Sequence, residues 1–324
     1  PQQAPDELGK KLLQSVNMRL RADVAVGTSL SGGVDSSAIA ALAAREKNME
    51  FKSFSAVFPG FEKDESALVN NITRQFSIDG HQTTPTAADL LADFDKILWH
   101  QEEPIGSASV LVQYKVFELA KQNGVTVLLD GQGADEILGG YAQYLPWFLQ
   151  EKWRAGAWRS QSEELSLLRG HGQVIDWGIK NYAAALFPHS AQSQLISRQK
   201  SSIANMPMVN PDYAAIFSAG ELLYKPLVTH LNDLLYFDTT MGKLPGLLRY
   251  ADRNSMAHGC EVRLPFLQHE LVQWIFSLPA DYKINAGYTK WVLRKSMENI
   301  LPATIAWQTR KIAFEPPQQE WMQH

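Results

Sequence analysis

Between an apolar, strand-like run (Ala22 to Gly27) and an alanine-rich helical run (Ser37 to Lys47) the chain reads Ser29-Leu30-Ser31-Gly32-Gly33-Val34-Asp35-Ser36-Ser37. A strand, a turn of small residues and a helix in immediate succession point to a parallel α/β arrangement, since a crossover helix is what returns a chain to add a parallel strand. The turn is also a phosphate grip. Its serines offer hydroxyls, its paired glycines let backbone N–H groups close on an anion, and the helix behind adds roughly half a positive charge at its start. Asp35 does not suit a pure anion site, because a carboxylate beside phosphates repels them unless a divalent cation lies between. The loop as written therefore asks for Mg2+ together with a nucleotide. It is not the Walker-type phosphate loop, for no Gly-Lys-Ser or Gly-Lys-Thr occurs in the 324 residues.

A second loop has the same logic. The short apolar run Thr126 to Asp130 leads into Gly131-Gln132-Gly133-Ala134-Asp135-Glu136 and then Ile137-Leu138-Gly139-Gly140-Tyr141. In an open parallel sheet ligands sit outside the carboxyl ends of the strands, so two such loops can face one nucleotide, with Asp35 and Asp135 as the pair for Mg2+. Further strand-like runs at Phe51 to Phe58 and near Gln82 to Thr84 alternate with helical patterns at Asp64 to Phe76, Ala87 to His100 and Val110 to Asn123. The expected fold is α/β: a parallel twisted sheet with helices on both faces, followed by a mostly helical C-terminal part. The expected division is 1–140 for the nucleotide-binding part and 141–324 for the helical part. Beyond Tyr141 no strand rhythm is evident, and the polar stretch Ser190 to Ala214 reads as a long loop or mobile insert. The tryptophans Trp147, Trp153, Trp158 and Trp177 read as core of the helical part.

The two loops resemble those of the N-type ATP pyrophosphatases, and the order of motifs down the chain resembles the synthetase domain of glutamine-dependent asparagine synthetases. Tyr250 to Leu267 is similar to the family's arginine-rich segment ending in Glu-x-Arg-x-Pro-Phe-Leu. Lys290 to Arg294 looks like its Lys-x-x-Leu-Arg helix start, and Leu301-Pro302-Ala303 and Lys311 to Phe314 look like its C-terminal signature. The resemblance implies an adenine nucleotide alpha hydrolase-like fold and an enzyme that adenylates a side-chain carboxylate, then lets ammonia displace AMP to form an amide. It implies that Ser31, Gly32, Gly33, Asp35 and Ser36 hold pyrophosphate, that Leu30, Ala56, Val57 and Gly131 flank the adenosine, and that Asp35 and Asp135 position Mg2+. Lys290 would stabilise the pentavalent phosphorus and the departing pyrophosphate, a task suited to a mobile point charge.

Gln132 stands where these synthetases commonly carry a glutamate, and glutamine takes up no proton. Glu136 is the nearest replacement in sequence; the alternatives are an acid substrate other than aspartate, as in β-lactam synthetases or peptide cyclases of the same family, ammonia that arrives already neutral, or a non-catalytic scaffold. Gln268 also departs from the family's aspartate, while Gln101 to Ser109 loosely resembles the stretch lining the acid pocket. Glu261 and Arg263 read as a buried ion pair that holds its segment together, ahead of a catalytic role.

Composition narrows the setting. With 45% apolar residues the chain can bury a large core, and a net charge of −4 without any basic run of five argues against nucleic-acid partners. That disfavours tRNA-modifying relatives, and so does the single cysteine, Cys260, which reads as a buried small hydrophobe in a reducing, cytoplasmic setting. No apolar run reaches the roughly eighteen residues of a membrane span. The expected ligands are ATP, a carboxylic amino acid and ammonia, with a homodimer left open. The start Pro1-Gln2-Gln3 has no upstream cysteine, so the glutaminase domain of glutamine-dependent members is expected to be missing.

Overall fold

Parallel strands in the middle of a sheet are buried on both faces, so their side chains are mostly apolar and a polar one needs a partner. The computed structural model describes residues 3–46, 51–207, 209–219, 224–309 and 315–323. Among these, five strands form one parallel sheet in the order β3-β2-β1-β4-β5: β1 (Val26–Ser29), β2 (Lys52–Ala56), β3 (Asp79–Thr83), β4 (Val127–Leu129) and β5 (Glu261–Arg263). The register sets Thr28 beside Ser53 and Leu129, so β1 is the central strand. Its polar side chain is satisfied, with the Thr28 hydroxyl donating to Leu129 O at 3.0 Å, and Ser55 likewise donates to Leu30 O at 2.6 Å.

Helix α1 (Gln3–Arg19) precedes the sheet, and α2 (Val34–Glu46) follows β1. Every residue from Ser36 to Ala43 is buried, because alanine side chains let a helix lie close on the sheet with neighbours on all sides. Between the next strands run α3 (Ser66–Gln75), α4 (Ala87–Gln101) and α5 (Ser109–Gln122), and α6 (Ala134–Leu138) follows β4. The period of two along β4 sorts the layers. Val127 and Leu129 join the core formed by α1 and α2, whereas Leu128 joins Phe54, Val112, Val116 and Phe117 under α5.

The remainder is mostly helical, as the sequence led us to expect. It holds α7 (Leu145–Arg154), α8 (Trp158–Gly170), α9 (Ile179–Leu186), α10 (Pro188–Ala204), α11 (Pro211–Ala219), α12 (Leu231–Thr240), α13 (Lys243–Ala257), α14 (His269–Ser277), α15 (Trp291–Met297), α16 (Ala303–Ala306) and α17 (Gln318–Trp321). Tyr144, Phe148, Leu168, Leu231 and Leu235 form its own core. Trp147 and Trp177 pack against that core, but Trp158 is exposed and does not belong to it.

Three expectations need correction. A strand exists beyond Tyr141: β5 pairs parallel with β4, setting Val262 beside Leu128, and the Asp130 N–H donates to Arg263 O at 3.0 Å. A two-stranded antiparallel hairpin, β6 (Ile284–Asn285) and β7 (Tyr288–Thr289), precedes α15. The stretch Ser190 to Ala214 is no loop; α10 and α11 take up most of it. Helix α10 buries none of its residues, so it lacks the apolar stripe by which a helix is recognised in sequence. The third concerns Glu261 and Arg263, whose ion pair at 2.7 Å is present but lies at the surface. Arg263 also donates to the carbonyls of Arg19 and Arg21 at 2.7 and 2.8 Å, which ties the sheet edge to the end of α1. The expected motif Lys311 to Phe314 lies outside the described residues.

Candidate active site

A cavity of about 480 Å³ opens at the carboxyl ends of β1 and β4, where the two glycine-rich loops meet. Ser31, Gly33, Asp35 and Ser36 line it from the first loop, and Gly131, Gln132 and Asp135 line it from the second. The first loop is held by its own hydroxyls: Ser31 N–H donates to Ser36 Oγ at 3.2 Å, and the two serine oxygens lie 3.0 Å apart. Gly33 meets nothing closer than Ser31 Oγ at 3.5 Å on its side-chain face, which keeps the approach to its backbone open. Gly131 sits against the start of α2, where an added Cβ would stand 3.1 Å from Ser36 N.

Lys290 enters this cavity from the far end of the chain. It follows β7, adopts a left-handed backbone (φ 53°) and is 5% exposed. Its ammonium bridges the two loops, bonding Asp35 and lying 2.6 Å from Asp135 Oδ1. Burial opposes the charge on Lys290, but the carboxylates of Asp135 and Asp35 outweigh it and hold the pKa above its ordinary value. Gly140 closes the back of this triad. Any side chain there would place its Cβ 1.8 Å from Asp135 Oδ1 and 2.2 Å from Lys290 Cε.

Other expected residues lie off the cavity wall. Leu30, Ala56 and Val57 are buried at strand ends, and Gly32 faces Leu68 of α3. Glu136 is buried behind the wall and accepts a hydrogen bond from the Tyr141 hydroxyl at 2.6 Å. Burial raises its pKa, partly offset by that hydroxyl. The structure thus brings Ser31, Gly33, Asp35, Ser36, Gly131, Gln132, Asp135 and Lys290 together around one space and sets Leu30, Gly32, Ala56, Val57 and Glu136 behind it. The side-chain oxygen of Gln132 is buried and has no hydrogen-bond partner among the described residues.

The wall also holds groups that sequence reasoning missed. Glu65, at the start of α3, is 7% exposed; burial, with the Asp64 charge beside it, pushes its carboxyl up to about 9. Asp130 ends β4, and burial raises it to about 6 even though Gly131 N–H, Gln132 N–H and the Ser29 hydroxyl all favour its charge. Gln113 and Tyr250 face the same space from α5 and α13. Arg294 lines it too and is locked by donating to Thr289 O at 2.7 Å and Ala306 O at 2.9 Å. Only the carboxylates stood out in the sequence as chemistry-bearing types, and Glu65 there looks like an ordinary helix-start acid.

A parallel sheet whose strand ends carry two small-residue loops, the first opening a helix and the two bridged by one buried lysine, defines an α/β protein of the nucleotide-binding type. Comparison with known proteins makes this specific. A family model for asparagine synthase matches residues 7–324, and the chain belongs to that family. It is 28% identical to asparagine synthetase [glutamine-hydrolyzing] 1 of Bacillus subtilis, over 98% of this chain and 50% of that protein. It is 30% identical to a putative asparagine synthetase [glutamine-hydrolyzing] of Mycobacterium bovis, over 98% of this chain and 49% of that protein. The protein named amidase chry2 of Gibberella zeae is 23% identical, over 96% of this chain and 52% of its own length. The chain therefore spans about half the length of the curated relatives it matches. No helix among the described residues is long and apolar enough to cross a membrane.

Proposed function

We propose that this chain is an ATP-dependent amide synthetase: a side-chain carboxylate, with L-aspartate the first candidate, attacks the α-phosphorus of ATP, and pyrophosphate leaves. Ammonia then attacks the carbonyl carbon of the acyl-adenylate, loses a proton, and AMP departs to give the amide. The observation that carries this reading is the Lys290 ammonium, buried between Asp35 and Asp135 below the Ser31 to Ser36 loop. A buried cation between two loops at strand ends is placed to meet charge that grows on phosphate oxygens, where preorganised donors contribute most. Backbone N–H groups of the first loop and the start of α2 would take the pyrophosphate.

The donor set also fits Mg2+. Asp35 and Asp135 already share one cation, and Mg2+ is commonly held by one or two carboxylates together with substrate phosphates. Among the described residues no group of three or more His, Cys, Asp or Glu forms a metal cage of its own. When bound, the ion would neutralise phosphate charge. Ammonia would come from glutamine hydrolysis on a separate unit, as the names of the matched relatives suggest for those proteins. The buried, unpaired thiol of Cys260 suits a reducing compartment such as the cytoplasm.

Gln132 favours a second reading of the acceptor. It lines the cavity and, as an amide, takes up no proton, which fits a substrate other than aspartate, such as a peptide or β-amino acid. The test is incubation with ATP, Mg2+, ammonium and a panel of acids led by L-aspartate, following AMP and pyrophosphate against an acid-free blank. Aspartate-dependent release with asparagine formed supports the first reading, turnover with another acid the second. Silence with every acid, or full activity in Asp35→Asn, refutes both.

A further inference from the structure

Lys290 owes its position to the hairpin that delivers it, and the hairpin has an unusual tip. The two central residues of the turn, Ala286 and Gly287, both have left-handed backbones, φ 51° and 78°. Two positive φ values in a two-residue loop are the type I′ pattern, which favours Asn-Gly or Gly-Gly and disfavours alanine in the first place. A side chain at Gly287 would be strained and would crowd His171, its Cβ standing 2.6 Å from Nδ1. Alanine at 286 is thus held in a conformation it resists. The restraint comes from another element: Glu164 of α8 is 6% exposed and accepts from Gly287 N–H at 2.7 Å and from Ala286 N–H at 3.1 Å. His171, at the end of the same helix, donates from Nδ1 to Gly287 O at 3.0 Å and packs its ring on Tyr288.

Both sides of the turn are therefore gripped by α8, which is anchored by Leu168 in the helical core. The hairpin passes this grip along. Trp291 N–H donates to Lys283 O at 2.9 Å, so the residues on either side of Lys290 are fixed by the pairing that the turn sets. We propose that Glu164 is a positioning residue: its carboxylate clamps the strained Ala286-Gly287 turn and so aims the Lys290 ammonium at the space between Asp35 and Asp135. This rests on the catalytic role proposed for Lys290.

Glu164→Gln keeps the shape but leaves one oxygen for two backbone donors and turns an amide NH2 toward the other. The expected result is a kcat for pyrophosphate release at least about tenfold lower, with the KM for ATP, which is set by the Ser31 to Ser36 loop, within about twofold. Exchange of the Ala286 and Gly287 amides with solvent deuterium should quicken at least about tenfold as the clamp opens. Ala286→Asn supplies the preferred Asn-Gly turn at an exposed position, so Glu164→Gln with Ala286→Asn should recover kcat to within about threefold of the parent. Unchanged amide exchange in Glu164→Gln overturns the clamp whatever the activity. A parent that turns over while Glu164→Gln matches it in kcat, or a loss that Ala286→Asn does not restore in folded protein, overturns the positioning role. A parent silent with every acid instead refutes the proposed function, and the positioning role falls with it.

Discussion

Gly140→Ala is a one-methyl change that separates the site's geometry from its fold. The backbone at Gly140 is not left-handed, so alanine meets no conformational barrier there. What it meets is the triad. Its Cβ would lie 1.8 Å from Asp135 Oδ1 and 2.2 Å from Lys290 Cε. An ordinary contact begins at about 3.4 Å, so the carboxylate must retreat by about 1.6 Å and the lysine stem by about 1.2 Å. The 2.6 Å contact between Lys290 and Asp135 then opens, and the ammonium leaves the point where both loops converge. A misplacement of about 1 Å at a catalytic group costs on the order of a hundredfold in rate. Overpacking a tight site costs about 1–3 kcal/mol of stability. The expected outcome is therefore a folded protein, measured by guanidinium unfolding, whose kcat for pyrophosphate release has dropped about a hundredfold. A kcat within threefold of the parent would refute the argument that Lys290 must sit between the two carboxylates.

Removing the charge, Lys290→Met, should slow pyrophosphate release by about a hundredfold to a thousandfold, and Lys290→Arg should not restore it, because a planar fork does not fit a buried pocket made for a point charge. The Glu65 carboxyl titrates near 9 when folded against an ordinary 4.5, so its contribution is complete below the lower value and is lost as pH climbs toward the higher. Stability should thus fall between pH 5 and pH 9, with Asp130 adding the same sign between its ordinary 3.8 and about 6, and Glu65→Gln should remove on the order of a few kcal/mol of that fall, read from guanidinium unfolding across the range. An equal slope in the variant would show that Glu65 is not the titrating group. Gly133→Ala puts a Cβ on a left-handed backbone (φ 90°) and 2.3 Å from Leu267 Cδ2, so thermal unfolding should report a loss of about 1–3 kcal/mol; an unchanged midpoint contradicts the packing described.

How much of this was readable beforehand follows from where the signal lies. Small residues and carboxylates at strand ends are a local signal, so Ser31 to Ser36 and Gly131 to Asp135 were legible, as were the four strands set apart by helices. Strand β5 was not. It has three residues, Glu-Val-Arg, no fully buried member and a partner more than a hundred positions upstream, so nothing local marks it as part of a sheet. The polar face of α10 hid a helix for the opposite reason, since it touches too little of the core to show a period. Asp130 was visible only as the end of a strand; its raised pKa comes from burial, which depends on what the rest of the chain packs over it. Glu164 had no signal at all, because its role lies in two backbone donors 122 and 123 residues away.

Helix α1 is packed against α15 and α14, and the Ser15 hydroxyl donates to Pro265 O at 2.6 Å. During synthesis these partners leave the ribosome about 250 residues after α1 does, and at about 5–20 residues per second that is a wait on the order of ten seconds to a minute. Throughout it Leu8, Leu12 and Val16, all of them fully buried in the finished fold, have only part of their cover. For α1 the interval of exposure to chaperones and proteases therefore ends only when the segment that also carries Lys290 arrives.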